Sequence, residues 1–143
     1  MIFSKQTILS DHQAVTATAI SENVLDLRAT GTVYKAGSAL TRDLGPGDPI
    51  PILVQVTETF ATLTSLTITL ETSDAAALTS SRVHASSGAV AAASLVAGYK
   101  FPVIYLPLGP HLRYLGLRYT VGGSNATAGK IKAGIVPAIQ TNA

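Results

Sequence analysis

Three histidines and eight carboxylates are the side chains in this sequence that could carry acid–base or metal chemistry. His12, His84 and His111 lie far apart in the chain, so there is no HxH or HExxH pair to seed a metal site. A cupin-like meeting of Glu71, His84 and His111 in space is one route to a metal. Three independent surface or turn histidines are the expected outcome. Glu58 and Glu71 fall on two strands that read as a hairpin, where they could approach the separation of about 5–10 Å that glycosidase carboxyls need. Solvated strand ends are the favoured reading of that pair. The serines and threonines have no GxSxG elbow around them. Asp43-Leu44-Gly45-Pro46-Gly47-Asp48-Pro49 lacks the Lys and hydroxyl of a phosphate loop and the D-x-D spacing of a calcium loop. No catalytic residue, metal or cofactor is expected, and the protein does not read as an enzyme.

What remains is contact chemistry. Tyr99, Tyr105, Tyr114 and Tyr119 interleave with Lys100, Arg113 and Arg118. Such a mix can stack single-stranded nucleic acid or build a protein interface. A formal net charge of only +2 favours the protein interface. Charged residues are 13% of the chain, about half the usual share of roughly 25%. Apolar residues are 47%, the balance of a chain that folds. There is no Cys, which excludes disulfides and thiolate chemistry. Met1-Ile2-Phe3-Ser4-Lys5 has neither the basic segment nor the apolar run of a secretory signal, and no window is apolar enough for a membrane helix. Synthesis in a cytosol-like space, with no membrane partner, is therefore expected. Asn125-Ala126-Thr127 fits a glycosylation sequon that such a space would leave unused.

The elements that would position these residues are strands. Leu66-Thr67-Ile68-Thr69-Leu70-Glu71-Thr72 alternates strictly, the period of a strand with one buried and one wet face. Ile50–Phe60 and Leu63–Thr72 read as a hairpin through Ala61-Thr62. Tyr114–Val121 and Lys130–Val136 alternate in the same way. Two short strands fit 15–27, split by Ser21-Glu22-Asn23. Tyr99–Leu106 reads as a strand with Pro102 at an edge or bulge. Val83–Ala85 is ambiguous, and Ala89–Val96 is read as a strand between Gly88 and Gly98. Asp74 could cap a short helix in the Ser73–Ala77 turn. Residues 1–14 show no clear period and read as an extended arm with a possible short strand at Gln6–Leu9. Residues 28–49, broken by Gly and Pro, read as a long contact loop. About eight short strands in one domain of 143 residues point to an all-β antiparallel fold, a β-sandwich or jelly roll, with an N-terminal arm.

The segment Gln6-Thr7-Ile8-Leu9-Ser10-Asp11-His12-Gln13-Ala14-Val15-Thr16, with Asn23-Val24-Leu25-Asp26-Leu27, resembles the opening of the capsid cement (decoration) proteins of tailed, podovirus-like bacteriophages. The resemblance continues, in order, through Asp48–Val56, Arg113–Tyr119 and Thr127–Val136. It is least distinct around 75–97. It implies a jelly-roll-like domain, many copies of which sit on the outer capsid surface after synthesis in the host bacterial cytoplasm. It implies oligomerisation, a dimer before a trimer, and clamping of neighbouring major capsid protein subunits, with no direct nucleic-acid contact. The family has no catalytic residues to carry over. The expected capsid or oligomer contacts are Phe3, Lys5 and Ile8 on the arm, Tyr34, Lys35, Arg42, Asp43 and Asp48 on the long loop, and Tyr105 and Arg113. The rival reading is a carbohydrate-binding or adhesion jelly roll on the virion surface. It wants a platform of exposed aromatics, yet there is no Trp and aromatics are only 6% of the chain.

Overall fold

The computed structural model describes residues 3–40, 42, 48–102, 104–109 and 111–138. Nine strands run in the order β1 Ile8–Ala14, β2 Ala19–Ile20, β3 Leu25–Asp26, β4 Pro51–Ala61, β5 Ser65–Ser73, β6 Arg82–Ala91, β7 Ile104–Tyr105, β8 Tyr114–Gly122 and β9 Ala128–Ile135. One sheet has the order β1-β9-β4-β7 and the other β2-β8-β5-β6, with β3 also on β8. All pairings are antiparallel. Because β2 and β3 both pair with β8, they form one interrupted strand. Each sheet then interleaves early and late strands, the two-Greek-key order of a jelly roll.

The expected hairpin between β4 and β5 does not form. The two strands lie in opposite sheets, β4 beside β9 and β5 beside β8. Both carry an apolar face, and a period-2 pattern cannot tell strands packed side by side from strands packed face to face. Ile52, Val54 and Val56 of β4 meet Leu66, Ile68 and Leu70 of β5 in one core with Leu115, Leu117, Tyr119 and Ile131. Glu58 and Glu71 are consequently on different sheets, and the paired-acid reading fails. Glu58 pairs with Lys130 at 2.8 Å.

The N-terminal arm is also corrected. Ile8–Ala14 is an edge strand on β9, with Leu9 and the following Val15 fully buried. Two register shifts, with His12 at φ 55°, break the alternation and hid this strand from its periodicity. Its polar residues face a partner. The Tyr119 hydroxyl donates to Ser10 Oγ at 2.7 Å, and Ser10 donates to Gln13 Oε1 at 2.6 Å. Gln13 Nε2 then donates to the Ile20 carbonyl. Burial pushes the Tyr119 phenol well above its ordinary range, so it stays a donor. The 99-to-106 strand shrinks to Ile104–Tyr105 plus a single bridge between Lys100 and Gln55, because Pro102 has no N–H to pair. The Ala89–Val96 strand ends at Ala91, followed by a 3₁₀ turn, Ala92–Ser94. No helix follows Asp74; Ser73 Oγ instead accepts from the Ala75 amide.

Glu71 is the clearest departure from the expected wet face of β5. Residues 74–81 fold over that face, and Leu78 is buried against Gly116. Beneath this cover Glu71 is only 3% exposed. It accepts from Thr69 Oγ1, Ser81 Oγ and Arg118 Nε, and Arg118 also donates to the Leu78 carbonyl. Burial pushes the Glu71 carboxyl up, but Ser81, Thr69 and Arg118 together hold it below the usual carboxylate value. A depressed folded pKa means that this contribution to stability is complete above about pH 4.5 and is lost as pH falls through the lower folded value. Removing Arg118 leaves a buried carboxylate without its counter-charge, which costs about 3 kcal/mol. We expect Arg118→Met to lose about that much in urea unfolding at neutral pH, with less further loss on acidification. A neutral-pH loss below about 1 kcal/mol would show the pair to be dispensable.

Candidate functional site

The sandwich core uses its apolar side chains efficiently, so large apolar groups left outside it stand out. Among the described residues they are Val33, Tyr34, Leu40, Ile50, Val83, Val96, Tyr105 and Leu108, and three of the eight fall in the one loop. Residues 31–40 are exposed throughout. Tyr34 at the tip is 88% exposed, and Val33 and Leu40 are more than half exposed. Lys35, with φ 65°, holds its Nζ 5.4 Å from the Tyr34 ring. Nothing in this stretch packs on the core, because the chain closes locally: the Leu40 amide donates to the Gly31 carbonyl at 2.9 Å and Ala36 to Val33.

The base of the loop is fastened by arginine. Arg42 Nη2 donates to the Arg28 carbonyl at 2.6 Å, and the His111 amide donates to the Arg42 carbonyl at 2.7 Å. Next to it, Arg113 grips Asp26 with two parallel hydrogen bonds of 2.9 Å. The Arg113 guanidinium holds the Asp26 carboxyl at about 2. Arg42 and Arg113 therefore have structural duties in the free protein, one at the loop base and one joining β3 to β8.

From His111 the path continues through Pro107 to exposed Leu108 and Tyr105. Pro51 pairs with Tyr105, and the Leu106 amide donates to the Ile50 carbonyl. Exposed Ile50 thus borders Tyr105. Ile50 also lines an open, largely apolar groove of about 450 Å³ with Pro49, Pro51, Ile135, Val136 and Pro137, and Asp48 stands on its rim. Of the expected contacts, Tyr34 and Lys35 are exposed in the loop, Asp48 lines the groove, and Tyr105 is half exposed beside Ile50. Asp43 and Gly45-Pro46-Gly47 lie outside the described residues.

The arm residues are placed differently. The 3–7 segment crosses the outer face of the first sheet, where Phe3 lies against Gly134 and under Lys132 Nζ, 5.3 Å from its ring. Ile8 is part of β1, and Lys5 and Ile8 line a second groove with Val24 and Leu25. Removing residues 1–9 would therefore take strand as well as arm.

Two histidines expected to be independent are not. The rings of His84 and His111 are 4.7 Å apart. Their residues come from β6 and from the segment before β8, and no spacing rule would have paired them. Among the described residues no group of three or more His, Cys, Asp or Glu side chains could hold a metal. No described helix is long and apolar enough to cross a membrane.

The surface features are thus an exposed loop carrying Val33, Tyr34 and Leu40, an Ile50–Tyr105 rim and a largely apolar groove. A search of the curated proteins finds no match. The Bbp16 family model matches residues 9–135, from the second residue of β1 to the end of β9, and so spans all nine described strands. On that match the chain belongs to the Bbp16 family.

Proposed function

We propose that this protein is a structural virion protein, a capsid cement or decoration protein that binds the outside of an assembled phage capsid and clamps neighbouring major capsid protein subunits. The observation that carries the reading is the loop at 28–42. The loop leaves Val33, Tyr34 and Leu40 in solvent on a fastened base, with Tyr34 the most exposed of the chain's described large apolar side chains. Contiguous exposed apolar surface of this kind serves a partner, and Tyr is favoured at interface centres. Membership of the Bbp16 family, a phage-type family, supports the viral setting. The ordered resemblance in the strand segments supports the capsid.

The work is mechanical and needs no catalysis. Packaged DNA presses outward on a thin shell. A protein that binds only the assembled lattice shifts the equilibrium toward that lattice by mass action. Each site needs to bury about 1,000–1,600 Å², and repetition over the shell makes modest single-site affinity sufficient. The partners are the major capsid protein and a second copy of this chain, in a dimer before a trimer. Nucleic acid and membrane are not partners, and no cofactor is used.

The decisive experiment mixes the purified protein with mature and with precursor shells and measures occupancy by sedimentation, alongside light scattering of the free protein. Saturable binding to mature shells alone is expected, with a free oligomer. Absence of binding to either shell would sink the proposal, and a monomer would remove its self-association part.

A further inference from the structure

At the loop end of the second sheet a buried and a half-buried imidazole lie at the margin of the apolar core. Thr72 continues the inward face of β5 after Leu66, Ile68 and Leu70 and is fully buried. Its hydroxyl lies 2.7 Å from His84 Nε2 and accepts from the Leu112 amide at 3.4 Å. The His84 ring stands 4.7 Å from the His111 ring, tilted by 41°. His111 is 5% exposed, and its Nε2 is 2.7 Å from the Pro107 carbonyl. A carbonyl only accepts, so Nε2 carries the hydrogen. His111 Nδ1 is buried and has no partner. Packing alone does not ask for this arrangement, because a buried polar atom without a partner costs stability where Leu or Phe would not.

The backbone of the same His111 is the anchor of the exposed loop. Its amide donates to the Arg42 carbonyl at 2.7 Å, and Arg42 Nη1 reaches the His111 carbonyl at 3.4 Å. The ring faces the histidine pair and the backbone holds the loop. We propose that the His84–His111 pair is an acid-sensitive latch, which keeps the 28–42 loop fastened while both rings are neutral and loosens it when the pair gains a proton.

The nearest cation on the same strand opposes protonation of His84. Arg82 begins β6 two residues before His84, and the Arg42 guanidinium sits at the His111 carbonyl. The carboxylates on neighbouring strands are already committed, Glu71 to Arg118 and Asp26 to Arg113. Burial first, then His111 and Arg82, push His84 below its ordinary value. A depressed histidine pKa favours the neutral ring in the fold. The latch is therefore complete above about pH 6.5 and fails as pH falls through the lower folded value. A second proton would set two cations side by side in a water-poor site.

The test uses the full-length, ¹⁵N-labelled protein between about pH 7.5 and pH 4.5, a span that brackets histidine titration. Heteronuclear NOEs of residues 31–40 and the His111 amide signal are read alongside the two ring C–H shifts. We expect the NOEs to fall and the His111 amide to lose protection with the midpoint at which the rings titrate, while β4 and β8 amides stay protected. In His84→Gln/His111→Gln, whose side chains cannot titrate, the loop should not respond to pH. His84→Gln alone, at the less buried position, should shrink the response. A flat response in the wild type would overturn the latch, and so would an equal response in both variants. Loop order is read on the free protein, so this result is independent of whether any shell is bound.

Discussion

Gly129→Ala should cost about 3–5 kcal/mol, combining positive-φ strain with overpacking, and should lower Tm by on the order of 10 °C or more. Gly129 lies in β9 with φ 135°, a conformation that an L side chain rarely adopts. A methyl added there would also sit 2.5 Å from both Cε1 and Cγ of Phe60. The ring cannot retreat, because Phe60 is itself 5% exposed and belongs to the core. The same glycine closes the sandwich edge, its carbonyl accepting from the Val15 amide at 3.1 Å. Gly31→Ala is the matched control. It has no atom within 4 Å of the added methyl and no positive φ, so it should be neutral. Thermal and urea unfolding read both. Equal stability of the two variants would remove the argument that Phe60 is laid over a glycine by necessity.

Replacing residues 32–39 with a Gly-Ser pair should abolish shell binding while leaving the fold intact. The stems are adjacent, since Leu40 donates to Gly31 at 2.9 Å, so a short turn can join them. None of the removed side chains belongs to the buried core, and the Arg42 fastening to Arg28 and His111 remains. Unfolding should therefore change little. On mature shells, occupancy should fall to the level of precursor shells. Tyr34→Ala alone should weaken binding at least about tenfold, the loss of roughly 1.4 kcal/mol or more that an interface tyrosine commonly carries. Unchanged occupancy of the loop variant, with its fold intact, would move the contact to the Ile50–Tyr105 rim or elsewhere.

Much of the sandwich is legible in local pattern. The alternation of Leu66, Ile68 and Leu70, and of Leu115, Leu117 and Tyr119, marks buried strand faces directly, and these residues are all buried. Gly and Pro punctuation marks the long loop whose tip, Tyr34, is the most exposed of the described large apolar side chains. Pattern fails where geometry is irregular. β1 is hidden because register shifts between Ile8 and Ser10 and between Ser10 and Gln13 move its side chains from face to face. Tyr99–Leu106 looked like a full strand because one proline can interrupt pairing without disturbing hydrophobicity.

By itself the sequence determined the all-β class, the lack of thiol chemistry and the regularly alternating strands β4, β5, β8 and β9, because these follow from composition and from a period read within a few residues. Only the tertiary structure decided which strands lie in which sheet. It also buried Glu71 under the 74–81 turn, joined Tyr119 to Ser10, and brought His84 beside His111. The Tyr119–Ser10 and His84–His111 contacts join elements that have no fixed spacing in sequence. The same holds for the residues first singled out for chemistry. Their types could be read from the chain, but the two histidines became a pair, and the two glutamates became separate ion pairs, only when the sheets closed.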